Sequence, residues 1–249
     1  MKTDSMNEKK LELYIHIPFC VKKCDYCDFL SFPADSNTQI RYVHALLQEI
    51  RYYGNLLGDY HVPTIYIGGG TPSWLEENLI YTVLQQVASS FHVEADAEIS
   101  IECNPGTVDA EKLALLHTYG VNRLSFGVQT FDDGLLQAIG RIHTGRQAAE
   151  TMQLAREAGF QNVSMDLMYG LPQETLAMLQ HDLEAMVALK PEHISIYGLQ
   201  LEAGTAFAKM QELGKLMLPD EETVEQMYDL MTSFLPAHGY ARYEISNFA

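Results

Sequence analysis

The sequence is poor in long apolar runs, in positive charge and in cysteine, and each shortage excludes a class of protein. No apolar run is long enough to span a bilayer, and no apolar stretch of the signal-peptide kind follows the polar start MKTDSMNEKK. Only 16 Lys and Arg face 33 Asp and Glu, and the net charge of −17 disfavours binding to nucleic acid or to an anionic membrane. We therefore expect a cytoplasmic protein that is not integral to a membrane and does not bind nucleic acid.

The four cysteines are few, yet three of them fall within eight positions, in the segment PFCVKKCDYCDF. In a reducing compartment, clustered cysteines more often bind metal or do redox chemistry than form disulfides. The spacing of Cys20, Cys24 and Cys27 suits an iron–sulfur cluster or a zinc ion. A cubane cluster held by three cysteines leaves one iron open to an exchangeable ligand, whereas zinc needs a fourth protein ligand, for which His16 is a candidate. Cys103 is expected to fill the core instead.

Short β-branched or aromatic segments alternate along the chain with amphipathic helical patterns. Apolar residues keep helical spacing over 40–57 and again over 79–91. Six such alternations predict a parallel sheet with helices outside it, either open and doubly wound or a closed or partial barrel. The predicted strands are 11–17, 64–69, 97–103, 122–128, 162–169 and 192–199.

Local signals extend this prediction to the rest of the chain. TGRQ at 144–147 is a capping box, and its helix is expected to end at Gly159. A further helix is predicted over 221–235, followed by a strand over 241–246. Residues 200–220 break the alternation and predict an irregular connection.

The unusual motifs all follow predicted strands. Because the carboxyl ends of parallel strands meet at one edge of a sheet, these motifs are expected to share one active site there. In chain order they are the cysteine segment, GGGTP (68–72), ECNPG (102–106), GVQ (127–129) with GRIHT (140–144), DLMYGLP (166–172) and YGLQLEAGT (197–205).

The cysteine motif, with the aromatic Tyr26 just before its last cysteine, resembles that of the radical S-adenosylmethionine (SAM) superfamily. The motifs LYIHIPFC, IGGGTPS, ECNPG, GVQTF, GRIHT and DLMYGLP together resemble the branch that contains oxygen-independent coproporphyrinogen III oxidases and heme chaperones of the HemW type. The resemblance covers residues 11–249 and implies an α/β fold, a partial (β/α)6 TIM-like barrel. It implies a tail at 1–10, the barrel at 11–200, and a segment, helix and strand at 201–249 that lead to a C-terminal domain absent from this chain.

The resemblance also implies the cofactors. Cys20, Cys24 and Cys27 would hold a [4Fe-4S] cluster whose open iron is chelated by the amino and carboxylate groups of SAM, which the reduced cluster cleaves. The glycines would let backbone approach SAM without a Cβ, Arg141 would offer a planar fork to its carboxylate, and Glu102 would accept bonds from its ribose. Carried over by motif position, the SAM contacts are Tyr14, Tyr26, Gly69, Gly70, Thr71, Glu102, Gln129, Arg141 and Asp166.

This chain differs from the oxidases of this branch in two features. The oxidases have a further cysteine two residues after the third, where this chain has Phe29, and a long N-terminal segment, where about ten residues precede the first strand here. Both favour a chaperone that binds heme as cargo and transfers it to an acceptor protein, without oxidase activity. The alternatives are a radical decarboxylase of coproporphyrinogen III in porphyrin biosynthesis and, outside the family, a zinc-stabilised α/β enzyme.

The resemblance implies partners and a further motif as well. The implied partners are heme, an unidentified acceptor protein and a flavodoxin- or ferredoxin-type electron donor. The chaperone branch has a downstream His-Asn-x-x-Tyr-Trp motif for heme, which is expected to fall beyond Ala249. No residue is predicted to be catalytic.

Overall fold

The computed structural model describes residues 9–249, in which six parallel strands lie side by side in chain order. Within these residues β1 pairs with β2 but not with β6, so the sheet curls into a half-barrel that stays open on one side. The predicted partial (β/α)6 barrel is confirmed. The strands are β1 (Lys10–Ile17), β2 (His61–Gly69), β3 (His92–Cys103), β4 (Arg123–Gln129), β5 (Val163–Tyr169), β6 (His193–Gly198) and β7 (Asn247–Phe248), of which β7 is antiparallel to β6.

Eight α-helices connect or follow these strands, and seven of them begin at an Asp or Thr whose side chain accepts the backbone N–H three residues on. The predicted capping box is present between Thr144 and Gln147, and Gly159 follows that helix with a φ of +100°. None of these described helices is both long and apolar enough to cross a membrane. The helices are α1 (Ser36–Leu57), α2 (Glu77–Ser90), α3 (Ala110–Thr118), α4 (Asp133–Ala138), α5 (Gly145–Glu157), α6 (Leu176–Leu189), α7 (Ala206–Glu212) and α8 (Glu221–Ala237).

The two faces of the curled sheet differ in polarity. Residues such as Ile67, Ile101 and Phe126 are buried in the layer between sheet and helices. Alternate residues face the inside of the half-barrel, and across β3 to β6 one register level reads Glu102, Ser125, Ser164 and His193. A closed TIM barrel fills this space with Val, Ile and Leu. Polar side chains here leave the interior as a cavity.

The segment predicted as a strand over 241–246 folds differently. The Glu244 carboxylate accepts hydrogen bonds from Ser246 N and Asn247 Nδ2, so the chain turns there. Residues 241–243 then pair with 247–249 as a short hairpin, and only the second arm reaches the sheet. The strand prediction was wrong because this turn lacks a glycine or proline that would mark it in the sequence.

The prediction of an irregular connection over 200–220 was also wrong in part. Thr205 caps α7 by accepting from Ala208 N, and Phe207 is fully buried against a small apolar cluster beside the cysteine segment. One buried anchor in a helix of seven residues gives no periodic signal. The predicted tail over 1–10 lies mostly outside the described residues, and Lys10 already belongs to β1.

The start of α5 touches the chain after β4, and this contact gives a stability prediction. A Cβ on Gly145 would overlap the Phe131 carbonyl oxygen, a backbone atom that cannot move as freely as the end of a side chain. We expect Gly145→Ala to lower the free energy of unfolding by about 1–3 kcal/mol, the range for overpacking. Thermal unfolding of the apo protein measures it. As the control, Gly134→Ala adds a Cβ that meets only the Asp132 side chain, and helix propensity favours it; equal melting temperatures for the two variants would contradict the contact.

Candidate functional site

A cavity of about 520 Å³ lies inside the half-barrel and reaches the carboxyl ends of its strands. The strand-end motifs converge as predicted, because each of the six contributes residues to the lining of this cavity, among them all three clustered cysteines. Eight of the nine predicted SAM contacts line it too, and Tyr14 is the exception. The eight are Tyr26, Gly69, Gly70, Thr71, Glu102, Gln129, Arg141 and Asp166.

Backbone hydrogen bonds from three sides hold the cysteine segment at the cavity mouth. Cys20 N donates to Phe32 O at 3.2 Å, and Asp25 N donates to Ile139 O at 3.2 Å. Asp25 O in turn accepts from Phe207 N at 2.9 Å, which ties the segment to α7. The thiols of the three cysteines are therefore positioned by the fold and remain partly exposed.

The donor groups favour a cluster over a single zinc ion. Within residues 9–249, no three His, Cys, Asp or Glu side chains converge closely enough to hold one metal ion. His16, the candidate fourth ligand, has Nδ1 bonded to the Tyr14 hydroxyl at 3.0 Å and Nε2 to Leu30 O at 2.9 Å. A four-iron cluster is larger than one ion, so its ligating sulfurs stand further apart. Three partly exposed thiols at the opening of the cavity fit a four-iron cluster.

Arg141 lies between the cysteine segment and the cavity. Its Nη1 donates to Cys24 Sγ at 3.7 Å, and its Nη2 donates to the carbonyl oxygen of Gly127. Its Nε is buried and has no hydrogen-bond partner in the described part of the chain. A buried, unpaired donor on a charged group is costly. The position therefore fits an anionic ligand at the cysteines.

The Glu102 carboxylate already has two protein partners. Oε1 accepts from Tyr66 Oη at 2.8 Å, and Oε2 accepts from Gly69 N at 2.9 Å. The residue predicted to accept from the ribose is thus already hydrogen-bonded within the protein. Each oxygen has a second lone pair, so Glu102 can still accept a bond from the cavity. Its contact with ribose stays a prediction.

The glycines of GGGTP serve close approach between two loops. Gly69 has a φ of +118°, and a Cβ there would lie 2.5 Å from His16 Cε1. A Cβ on Gly70 would lie 2.7 Å from Phe19 O, while Gly70 N donates to Ile17 O at 2.8 Å. The missing Cβ atoms therefore make room for the protein's own cysteine segment as well as leaving the cavity open.

Gln129 has a strained backbone, with a φ of +72° in a residue that has a Cβ. The pairing between β4 and β5 shifts register between Gly127 and Gln129, as at a bulge. Such strain often marks a functional site. The bulge turns Gln129 so that it lines the cavity, which supports its predicted contact.

Asp166 and Tyr26 are titratable groups that the fold shields from water. Burial raises the pKa of the Asp166 carboxyl to about 7, although a hydrogen bond from Ser195 opposes this shift. Burial also raises the pKa of Tyr26, whose ring packs beside Ile139 and Met168. Both side chains therefore have uncharged forms accessible at neutral pH.

Tyr14 is placed differently from the other predicted contacts. Its side chain is 60% exposed and stands outside the cavity, at the open edge of β1. Its ring lies next to Tyr66 with centroids 6.1 Å apart. A contact between Tyr14 and SAM would need the ligand to extend to this open edge.

Two further candidates are structural in character. Cys103 is buried, and burial raises the pKa of its thiol to about 12, so it stays protonated. His143 is buried with Nδ1 3.1 Å from Asn104 Oδ1 and Nε2 3.1 Å from Val128 O. Burial lowers the pKa of His143 to about 3, so a neutral imidazole links the loop after β3 to β4.

Sequence reasoning missed the polar residues at the inner end of the cavity. Arg123, Ser164, His193 and Tyr243 line it, far from the strand-end motifs. Three of them begin or nearly begin a strand, where no motif draws attention to them. Their alternation with buried apolar neighbours, as in Arg123, Leu124 and Ser125, is the signal that could have placed them inside the barrel.

Comparisons with known proteins agree with this geometry. Residues 14–186 match the Radical SAM superfamily. Over 237 residues the chain is 43% identical to the heme chaperone HemW of Bacillus subtilis (strain 168), which covers 95% of this chain and 62% of that protein. Over 240 residues it is 39% identical to HemW of Escherichia coli (strain K12), covering 96% and 62%. The chain thus spans about three fifths of these relatives' length.

A solved structure is also similar. Coproporphyrinogen III oxidase (HemN) from Escherichia coli, a radical SAM enzyme, matches with a TM-score of 0.90 and 31% identity. The match covers 97% of this chain and 56% of that one. The resemblance stated from the motifs is therefore confirmed at the level of both sequence and fold.

The burial of the four cysteines predicts their reactivity. In the metal-free, reduced protein, we expect iodoacetamide to modify Cys20 and Cys24, to modify Cys27 more slowly because burial raises the pKa of its thiol, and to leave Cys103 unmodified until the protein unfolds, because the thiolate is the reactive form. Mass spectrometry of peptides measures this. After reconstitution with iron and sulfide, the three should become protected together. Protection of Cys103 alone, or of fewer than three of the others, would contradict the assignment.

Proposed function

Because this chain belongs to the radical SAM superfamily, we propose that its cavity holds a [4Fe-4S] cluster and SAM, and that the protein binds heme and passes it to an acceptor. The observation that carries the cofactor proposal is the unpaired Nε of Arg141 beside Cys24. It provides a charged donor at the point where three cysteines would leave one iron open.

The residues of this chain have separate tasks in the proposal. Cys20, Cys24 and Cys27 ligate the cluster, and Arg141 binds the carboxylate of SAM. Glu102 keeps Gly69 in place and accepts from the ribose. When bound, the cluster and SAM together supply one-electron reductive cleavage of SAM. The apolar wall that contains Tyr26 and Met168 limits the access of water to that position.

The proposal that heme is the cargo is supported by the identities to the two HemW proteins and by the residue at position 29. Identity to the two HemW proteins is 43% and 39%, against 31% to the oxidase. Phe29, where the oxidases have cysteine, is 63% exposed beside the cluster position, and its neighbour Leu30 is 75% exposed. An exposed apolar pair suits contact with a flat apolar ligand or a partner rather than metal ligation.

Neither His143 nor His193 offers a free imidazole nitrogen to a heme iron. Both ring nitrogens of His143 are bonded to protein atoms, and so are both of His193. We therefore place the axial heme ligand outside these two residues, in keeping with the downstream motif expected for the chaperone branch. The acceptor protein, a flavodoxin- or ferredoxin-type electron donor, and a C-terminal domain beyond residues 201–249 belong to the same proposal. So does a cytoplasmic location, where cysteines stay reduced.

SAM binding gives the first test. With reconstituted protein under anaerobic conditions, SAM should change the EPR spectrum of the reduced cluster, because direct ligation alters the iron's surroundings. Arg141→Gln should weaken SAM binding by about 1.5–3 kcal/mol, the range for hydrogen bonds to charged groups. Arg146→Gln is the matched control, since Arg146 is 86% exposed on α5 and pairs only with Glu150. Equal SAM affinity in the two variants would remove Arg141 from the site.

The second test compares binding of heme with decarboxylation of coproporphyrinogen III. We expect this chain to bind hemin, more weakly than the longer HemW of Bacillus subtilis, and to release no decarboxylated product from coproporphyrinogen III. Hemin binding is followed by the Soret band, and product by chromatography, anaerobically with reconstituted cluster, SAM and a competent reductant. More than one product molecule per protein would establish the oxidase alternative. Absence of hemin binding by this chain, with binding by the Bacillus protein, would overturn the chaperone proposal for these residues.

A further inference from the structure

The inner end of the cavity has a built polar site that the cluster and SAM do not use. Arg123 begins β4, and Ser164 and His193 lie near the start of β5 and β6. Arg123 and Gly127, whose carbonyl binds Arg141, are four residues apart on β4, which corresponds to about 13 Å along a strand. Arg123 and Arg141 thus reach the cavity from opposite ends of β4, and a ligand group at the inner end meets Arg123 first. Burial raises the pKa of the Asp166 carboxyl, which lies near enough to both arginines for each to oppose that rise.

Arg123 has unused hydrogen-bonding capacity. Its side chain is only 17% exposed, and Nη1 donates to Ser100 Oγ at 3.3 Å. The nearest ion pair is a long one, 3.9 Å to Glu98, whose side chain is 45% exposed. Within residues 9–249, Nη2 and Nε of Arg123 have no hydrogen-bond or ion-pair partner. The free edge of the guanidinium therefore faces a cavity.

Three hydrogen-bonded side chains without charge line the cavity near Arg123, whose other neighbours are the carboxyl groups of Glu98 and Asp166. His193 Nδ1 lies 2.8 Å from Ser164 Oγ, and His193 Nε2 lies 2.7 Å from Tyr243 Oη. Burial, together with the nearby Arg123, lowers the pKa of His193, so the imidazole stays neutral. Arg123 is then the cation at this end of the cavity.

The charges around the cavity favour an anion. The chain as a whole has a net charge of −17. The cavity lining reverses this sign, with four cationic side chains against two carboxylic ones: Lys22, Lys23, Arg123 and Arg141 against Glu102 and Asp166. A local positive excess in an acidic protein concentrates anionic ligands at that place.

We propose that Arg123, beside the Ser164–His193–Tyr243 wall, is a carboxylate subsite that binds a propionate of a porphyrin entering the half-barrel. The proposal rests on the proposed function for the identity of the ligand. A guanidinium with a free edge matches a planar carboxylate bidentately. A porphyrin carries such groups on the rim of an apolar disc, so one propionate can reach the inner end while the disc stays in the wider part of the opening.

The test compares porphyrin acids with their esters. The probes are hemin, coproporphyrin III and the methyl esters of both, titrated into the reconstituted protein with SAM present and into the metal-free protein. We expect Arg123→Gln to raise the dissociation constant of the free acids about tenfold or more and to leave that of the esters unchanged. Arg123→Lys should restore part of the affinity because it keeps the charge. Arg146→Gln is the control, and SAM affinity should not change in any of these variants.

The outcomes separate this inference from the proposed function. Equal affinity of wild type and Arg123→Gln for the free acids would overturn the subsite while leaving heme binding intact. Equal losses for acids and esters, or weaker SAM binding, would make Arg123 a structural residue and would also overturn it. Coproporphyrin III bound through Arg123 without any hemin binding would support the subsite and overturn the chaperone proposal. Failure of wild type to bind either porphyrin would overturn both.

Discussion

The open, polar interior of the half-barrel is the constraint on which the rest of the structure depends. A closed barrel would have to fill its inside with branched apolar side chains. Here β1 and β6 remain unpaired with each other in the described residues, and the inward positions carry Glu102, Ser125, Ser164 and His193. These polar side chains bond partly to protein groups and otherwise face a cavity that leads to the three cysteines. The apolar core is therefore confined to the layer between sheet and helices, where it stabilises the fold without occupying the site.

The same residues connect the fold to the proposed chemistry at the strand ends. Glu102 accepts from Gly69 N, and Gly69 lies close to His16. Gly70 N and Thr71 N donate to Ile17 O and Phe19 O, just before Cys20. A change at Glu102 would therefore move the turn after β2 and the cysteine segment together. Two features that cost stability, the unpaired Nε of Arg141 and the positive φ of Gln129, lie at this mouth. A ligand that accepts a hydrogen bond from Arg141 would offset part of that cost.

Much of this arrangement could be predicted from sequence, because it follows local rules. Buried parallel strands are short apolar segments, Thr144 and Gln147 form a capping box by themselves, and motifs after parallel strands must meet at one edge. Some of what could not be predicted depends on contacts between distant residues, as α7 depends on the packing of Phe207 next to the cysteine segment. The hairpin at 241–249 depends instead on a local turn without glycine or proline, in which the Glu244 carboxylate accepts from Ser246 N. Arg123 carries no motif, and its role emerges only once the register aligns it with Ser100.

The distribution of charge links these observations to how a ligand would be selected. Porphyrin acids are apolar discs with negative edges, and such molecules adsorb readily to apolar or cationic protein surfaces. An acidic exterior repels them over roughly the Debye length, about 8 Å at physiological ionic strength, while the cationic lining of the cavity attracts them at one place. Lys22 and Lys23 lie at the mouth and Arg123 at the inner end, so the positive potential extends along the path that a carboxylate would follow. Under this proposal, the large excess of Asp and Glu would contribute to specificity, because it would remove competing sites and leave the half-barrel as the preferred point of entry.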